Sequence, residues 1–133
     1  MKLIELEGIG ASYAEKLSKF GCDTTEDLLE QCGTKSGRQK MSELSEISEK
    51  LILEWVNLAD LCRINGVGEE YSDLLEEAGV DSVVELATRN ADNLHAKMVE
   101  VNDAKNLVNK LPSVSQLEDW VSQAKSLPRR VTH

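Results

Sequence analysis

Apolar residues recur along this chain at helical spacing, and nowhere do they alternate as a half-buried strand requires. From Ser48 onward Leu51, Ile52, Trp55, Leu58, Ala59 and Cys62 fall at i, i+1, i+4, i+7, i+8 and i+11, the stripe of an amphipathic helix. Tyr13, Ala14, Leu17 and Phe20 share a helical face, and Gly21 stands where a left-handed cap would end that helix. Tyr71, Leu74, Leu75 and Ala78, closed by Gly79, repeat the arrangement. Thr24-x-x-Asp27 and Ser82-x-x-Glu85 read as capping boxes, opening short helices that end near Cys32-Gly33 and Arg89-Asn90. Leu94, Met98, Val101, Ala104, Val108 and Leu111 predict a helix over Ala91 to Leu111, with Asn102-Asp103 as a point of weakness and Pro112 as its stop. Ser113-x-x-Gln116 starts a last helix bearing Val114, Leu117, Trp120, Val121, Ala124 and Leu127, ahead of Pro128. The predicted fold class is all-α.

The chain also repeats itself. Leu6-Glu7-Gly8-Ile9-Gly10, Tyr13, Leu17 and Gly21 return 58 positions later as Ile64-Asn65-Gly66-Val67-Gly68, Tyr71, Leu75 and Gly79. Asp23, Thr24, Asp27 and Leu28 then match Asp81, Ser82, Glu85 and Leu86. Leu53-Glu54-Trp55-Val56 answers to Glu118-Asp119-Trp120-Val121 at an offset of 65, so the two tryptophans share one repeat position.

The pattern apolar-x-Gly-apolar-Gly, present as Leu6-Glu7-Gly8-Ile9-Gly10 and Ile64-Asn65-Gly66-Val67-Gly68, resembles the helix-hairpin-helix family. The segments that continue each hairpin, Phe20 to Leu28 and Ala78 to Leu86, are similar to the C-terminal domain of bacterial RNA polymerase alpha subunits. The tandem as a whole resembles a bacterial family of unknown function. The resemblance implies two helix-hairpin-helix repeats closed into one pseudo-twofold helical domain over residues 1–133, with repeat one at 1–61, repeat two at 62–127 and a tail at 128–133. Repeat one has only seven residues before Gly8, so the C-terminal helix 113–127 is expected to pack back before the first hairpin. Served to a neighbour instead, it would give a domain-swapped dimer rather than a monomer.

Composition narrows the functional classes. The 41% apolar content suffices for a packed core, and no run of 18 apolar residues exists to cross a membrane. The start, Met1 to Gly8, meets acid before any signal-peptide core forms, so a cytoplasmic location is expected. Fifteen Lys and Arg against 24 Asp and Glu give a net charge of -9, the wrong sign for a protein that coats nucleic acid with its whole surface. Cys22, Cys32 and Cys62 form no C-x-x-C pair and His95 and His133 stand alone, so neither a disulfide framework, a metal site, a cofactor nor a catalytic triad is signalled. The chain is read as non-enzymatic.

In DNA-binding members of the family that the hairpins resemble, backbone N–H groups at the glycine turn face a DNA phosphate. The residue types suit that work, because glycine admits dihedrals closed to other residues and leaves no side chain before an anion. The first hairpin offers Gly8, Ile9, Gly10 and Ala11, with Lys16 and Lys19 on the next helix and a base-rich stretch at Lys35, Arg38 and Lys40. The second, Gly66, Val67 and Gly68, precedes Glu69, Glu70, Asp73, Glu76 and Glu77 and is read as structural. The plain alternative is that both turns are tight helix connectors, that the tyrosines and tryptophans are core anchors, and that the lysines lie on a solvated face. Two functions remain: weak, sequence-independent binding to the DNA backbone through the first hairpin, or an acidic face at Glu69, Glu70 and Asp73 that docks a basic protein surface.

Overall fold

The Thr24 hydroxyl accepts the N–H of Asp27 at 3.1 Å, and Asp27 Oδ2 accepts the N–H of Thr24 at 3.2 Å, so two donors that a helix start leaves orphaned are satisfied at once. Ser113 and Gln116 make the same reciprocal cap at 2.9 and 3.1 Å. Ser82 accepts the N–H of Glu85 at 3.2 Å. These starts organise a computed structural model that describes residues 1–133 and is all-helical. After a 3-10 turn at Leu3–Glu5 come α1 (Gly10–Ser18), α2 (Thr25–Cys32), α3 (Lys35–Ser45), α4 (Glu49–Leu61), α5 (Glu69–Glu77), α6 (Val83–Leu86), α7 (Ala91–Lys105) and α8 (Val114–Ser126). The one extended pairing is an isolated bridge between Lys2 and Thr24.

Three elements depart from the expected pattern. Helix α3 has no apolar period to announce it, because its inward face is Arg38, Met41 and Ser45. Helix α7 ends at Lys105, not near Leu111. Asn106 turns left-handed at φ 49°, and the Asn102 amide both donates to Val108 O at 3.1 Å and accepts the Val108 N–H at 3.0 Å. Asn102 therefore unwinds the chain just beyond its own helix. Phe20, placed by period on the inner face of α1, is 36% exposed because the helix has already ended at Ser18.

By its contacts the chain divides into two compact units, Met1–Asp60 with Arg129–His133, and Leu61–Pro128. In the first, Leu3, Leu6, Ile9, Leu17, Leu28 and Trp55 are buried. Tyr13 lies on Trp55 with ring centroids 5.0 Å apart. In the second, Leu74, Leu75, Leu86, Leu94, Met98, Leu117 and Trp120 are buried, and Tyr71 lies on Trp120 at 5.3 Å. Helix α8, expected to stand before the first hairpin, belongs to the second unit. There Trp120 meets Tyr71 and the Gln123 amide grips Asn65, accepting its N–H at 2.8 Å and donating to its carbonyl at 3.1 Å. What returns to the first unit is the stretch taken for a tail: Val131 is buried and Thr132 N donates to Gly33 O at 2.9 Å.

Candidate nucleic-acid interface

The same hydrogen bonds build both glycine turns. Leu6 N donates to Leu3 O at 3.0 Å and Ile9 N to Leu6 O at 3.4 Å; 58 residues on, Ile64 N donates to Leu61 O and Val67 N to Ile64 O, both at 3.1 Å. Beyond each hairpin helix, Cys22 N reaches Leu17 O at 3.1 Å and Val80 N reaches Leu75 O at 2.9 Å. Gln31 Nε2 donates to Gly21 O at 3.1 Å, and Arg89 Nη2, its counterpart at the same offset, donates to Gly79 O at 2.8 Å.

The turns differ in what stands before them. Gly8 and Gly10 have φ of 83° and 69°, which an L side chain adopts only with strain, and a Cβ on either would meet nothing within 4 Å. Both are exposed, as is Ala11, and α1 starts without a side-chain cap, so the first N–H groups of the helix face open space. Gly66, at φ 100°, is also exposed but has the Trp120 indole on its Cβ side, where a Cβ would lie 2.9 Å from Nε1. A Cβ on Gly68 would meet nothing within 4 Å, and α5 likewise starts without a side-chain cap. Gln123 occupies the polar groups of neighbouring Asn65. At the tryptophan offset of 65, Gln123 corresponds to Leu58 and Asn65 lies opposite Glu7, so the first repeat has no amide with which to close its turn in this way.

The basic residues are not collected into one patch. Lys16 and Lys19 are exposed on α1 and just beyond it, on the face that Ser12 begins by i, i+4, i+7 spacing. Lys16 lies about 9 Å along the axis from the helix start, and its side chain slants back toward that start. Lys35 lines a hollow of about 330 Å³ with Glu49, Lys50 and His133. Lys40 lines a different groove, of about 370 Å³, with Phe20, Met41 and Leu44. Arg38 is 4% exposed and its guanidinium is committed, Nη1 to Cys32 O and Gly33 O at 3.1 and 3.0 Å and Nη2 to Thr132 O at 2.6 Å. It holds the fold and is withdrawn from any phosphate. Ile9 is likewise withdrawn, with its side chain 2% exposed and its N–H on Leu6 O.

On the second hairpin, Gly68 caps α5, Glu69 and Glu70 fill its exposed first turn, and Glu69 O accepts from Ser72 Oγ at 3.0 Å. Asp73 is half-buried. Lys105, distant in sequence, pairs with Glu77, and this contact holds the Lys105 pKa above its ordinary value. Sequence reasoning saw no base near that acidic helix, because the partner lies on α7. Charge divides unevenly between the units: nine Lys and Arg against twelve Asp and Glu in the first, a net of -3, and six against twelve in the second, a net of -6.

No three His, Cys, Asp or Glu side chains come together as a group that could hold a metal. No helix is long and apolar enough to cross a membrane. Burial pushes the Cys22 thiol up to about 12, with the Cys32 thiol adding to the effect, and pushes Cys32 up to about 11. Burial also raises Cys62. Such thiols are protonated near neutral pH and poor nucleophiles there.

These features define an all-helical protein with two glycine turns, the second of which has the Trp120 indole against its first glycine. The chain belongs to the family described as "Domain of unknown function (DUF4332)", whose model matches residues 7–127. No curated protein and no solved structure matches it.

Proposed function

We propose that the protein is a non-enzymatic binding module whose first glycine turn grips a DNA backbone phosphate without reading sequence. The observation that carries this reading is a contrast at the first glycine of each turn: a Cβ on Gly8 would meet nothing within 4 Å, whereas the tryptophan ring of α8 lies against Gly66. Gly10 and Gly68 are both open, but Gly10 leads into Ala11 and Gly68 into Glu69 and Glu70. An uncapped helix start with consecutive N–H groups and the positive end of the helix dipole suits an anion. Lys16 and Lys19 supply mobile charge on the same helix, and the unit that bears them carries the smaller share of the negative excess. The resemblance of Leu6 to Leu17 to a helix-hairpin-helix points the same way. Because only a few phosphates would be neutralised, the binding is weak. Titrating a short duplex at low salt against the isotope-labelled protein tests it. The amide resonances of Gly8, Gly10 and Ala11 should move while those of Gly66 and Gly68 stay; stationary first-turn amides, or shifts confined to the second turn, would contradict the reading.

The second reading, an acidic face for a basic protein surface, draws on the net -6 of the second unit and the exposed Glu69 and Glu70. Capture of partners from native extract by the wild type and by a Glu69→Lys, Glu70→Lys, Asp73→Lys variant separates the two. Partners retained by both proteins speak against the acidic face.

A further inference from the structure

We propose that the groove holding residues 129–133 is a binding site for an extended peptide with a basic, a β-branched apolar and a hydroxyl residue in succession, and that Arg130-Val131-Thr132 is its tethered occupant. The peptide unit of Thr132 is read on both sides. Its N–H donates to Gly33 O at 2.9 Å, and its carbonyl accepts from Arg38 Nη2 at 2.6 Å. These two contacts recognise backbone, so the selection falls to the side chains before it. Val131 is 3% exposed, and Arg130 Nη1 meets Glu26 Oε1 at 2.9 Å.

The groove is built for a chain passing close by. A Cβ on Gly33, at the end of α2, would stand 2.4 Å from the carbonyl oxygen of Arg130 and 2.5 Å from that of Leu29, so the bound backbone passes against a glycine that has no room for a side chain on either account. Arg38 is a buried cation, which is costly unless its donors are met. Cys32 and Gly33 satisfy Nη1 from the end of α2, whereas the acceptor of Nη2 comes from the bound segment itself. With the segment displaced, the groove presents a half-satisfied guanidinium, the Gly33 carbonyl and the space that Val131 fills, arranged to take the same pattern again. Tethering matters to the balance: a segment joined by a short linker is held at an effective concentration in the mM range, so a peptide of modest intrinsic affinity stays docked in cis and shields the groove from weak competitors.

The test uses the full chain and a fluorescent peptide of residues 126–133, read by anisotropy. Val131→Asp frees the tethered segment and leaves the groove intact. This variant should bind the peptide saturably, at least about tenfold more tightly than the wild type, whose groove is occupied. Adding Arg38→Met should abolish the binding, as should carrying Val131→Asp in the peptide instead. No binding to the Val131→Asp chain while it melts cooperatively, equal affinity for wild type and variant, or binding of the altered peptide would each overturn the proposal. Should Val131→Asp fail to fold, Arg130→Glu opposes Glu26 with like charge and releases the segment from the exposed side, with the same outcomes. In the wild type the Thr132 amide should exchange with solvent at least about tenfold more slowly than an unprotected amide; free exchange would contradict a docked segment.

Discussion

The indole nitrogen of Trp120 lies against Gly66, so that a Cβ on that glycine would stand only 2.9 Å from it. Gly8, the corresponding glycine of the first repeat, has no such neighbour. Gly66→Ala meets both a positive φ and the indole, whereas Gly8→Ala meets the positive φ alone, a strain of about 1–2 kcal/mol. Chemical denaturation of the two variants should therefore rank Gly66→Ala as clearly the more destabilising. Equal losses would mean that Trp120 does not hold that position.

Removing either ring from its partner removes a large buried side chain. Trp55 and Trp120 are each 2% exposed, and replacing either with alanine should cost about 3–5 kcal/mol in thermal or denaturant unfolding. Tyr71→Phe keeps the ring contact and loses only the exposed hydrogen bond from its hydroxyl to Lys110 O, so its cost should stay below about 1 kcal/mol.

The cap on α2 makes a prediction about acid. Hydrogen bonds from the Asp23 and Thr24 backbone, with the Thr24 side chain, lower the Asp27 pKa in the folded state. A carboxylate depressed by folding stabilises the protein above its unfolded pKa, and that stability is lost as pH falls through the folded value. Asp27→Asn should therefore flatten part of the acid limb of the stability curve, while Thr24→Ala should cost about 1 kcal/mol at neutral pH. An acid limb identical in Asp27→Asn and wild type would contradict the cap.

The three cysteines predict an order of reactivity. Cys22 and Cys32 are buried with raised pKa values, while Cys62 is half-buried. A thiol reagent should label Cys62 first and reach the other two only on unfolding. Because folding raises the thiol values from the ordinary 9.0 to about 12 and 11, their contribution is complete below about pH 9 and declines as pH climbs through the folded values. Rapid labelling of all three in the native protein would refute the burial.

The sequence carried the helices whose signals are local. The reciprocal caps at Thr24 and Ser113, the α4 stripe around Trp55 and the two glycine turns all stand where spacing put them. Helix α3 was illegible because its buried face includes a guanidinium whose acceptors are Cys32, Gly33 and Thr132, the last from the far end of the chain. Arg38 consequently looked like one of a group of surface bases. The placement of α8 was misread for a related reason. The first repeat seemed to need a helix before its turn, but the contacts that anchor α8, from Trp120 to Tyr71 and from Gln123 to Asn65, lie within the second repeat. Of the candidate site, the positive-φ glycines and exposed Lys16 were readable from the pattern. That Trp120 lies against Gly66 while nothing lies against Gly8 depends on a contact between residues more than fifty positions apart, to which periodicity is blind.

The proposed grip of the open first turn and the Lys16 face on a phosphate backbone is tested most directly by the affinity for a short duplex as salt is raised from roughly 50 to 200 mM, for the wild type and for Lys16→Glu. With about two or three phosphates neutralised, wild-type affinity should fall about 10- to 40-fold over that range, and Lys16→Glu should bind more weakly with a shallower slope. No detectable binding at the lower salt, or an affinity that Lys16→Glu leaves unchanged, would contradict it.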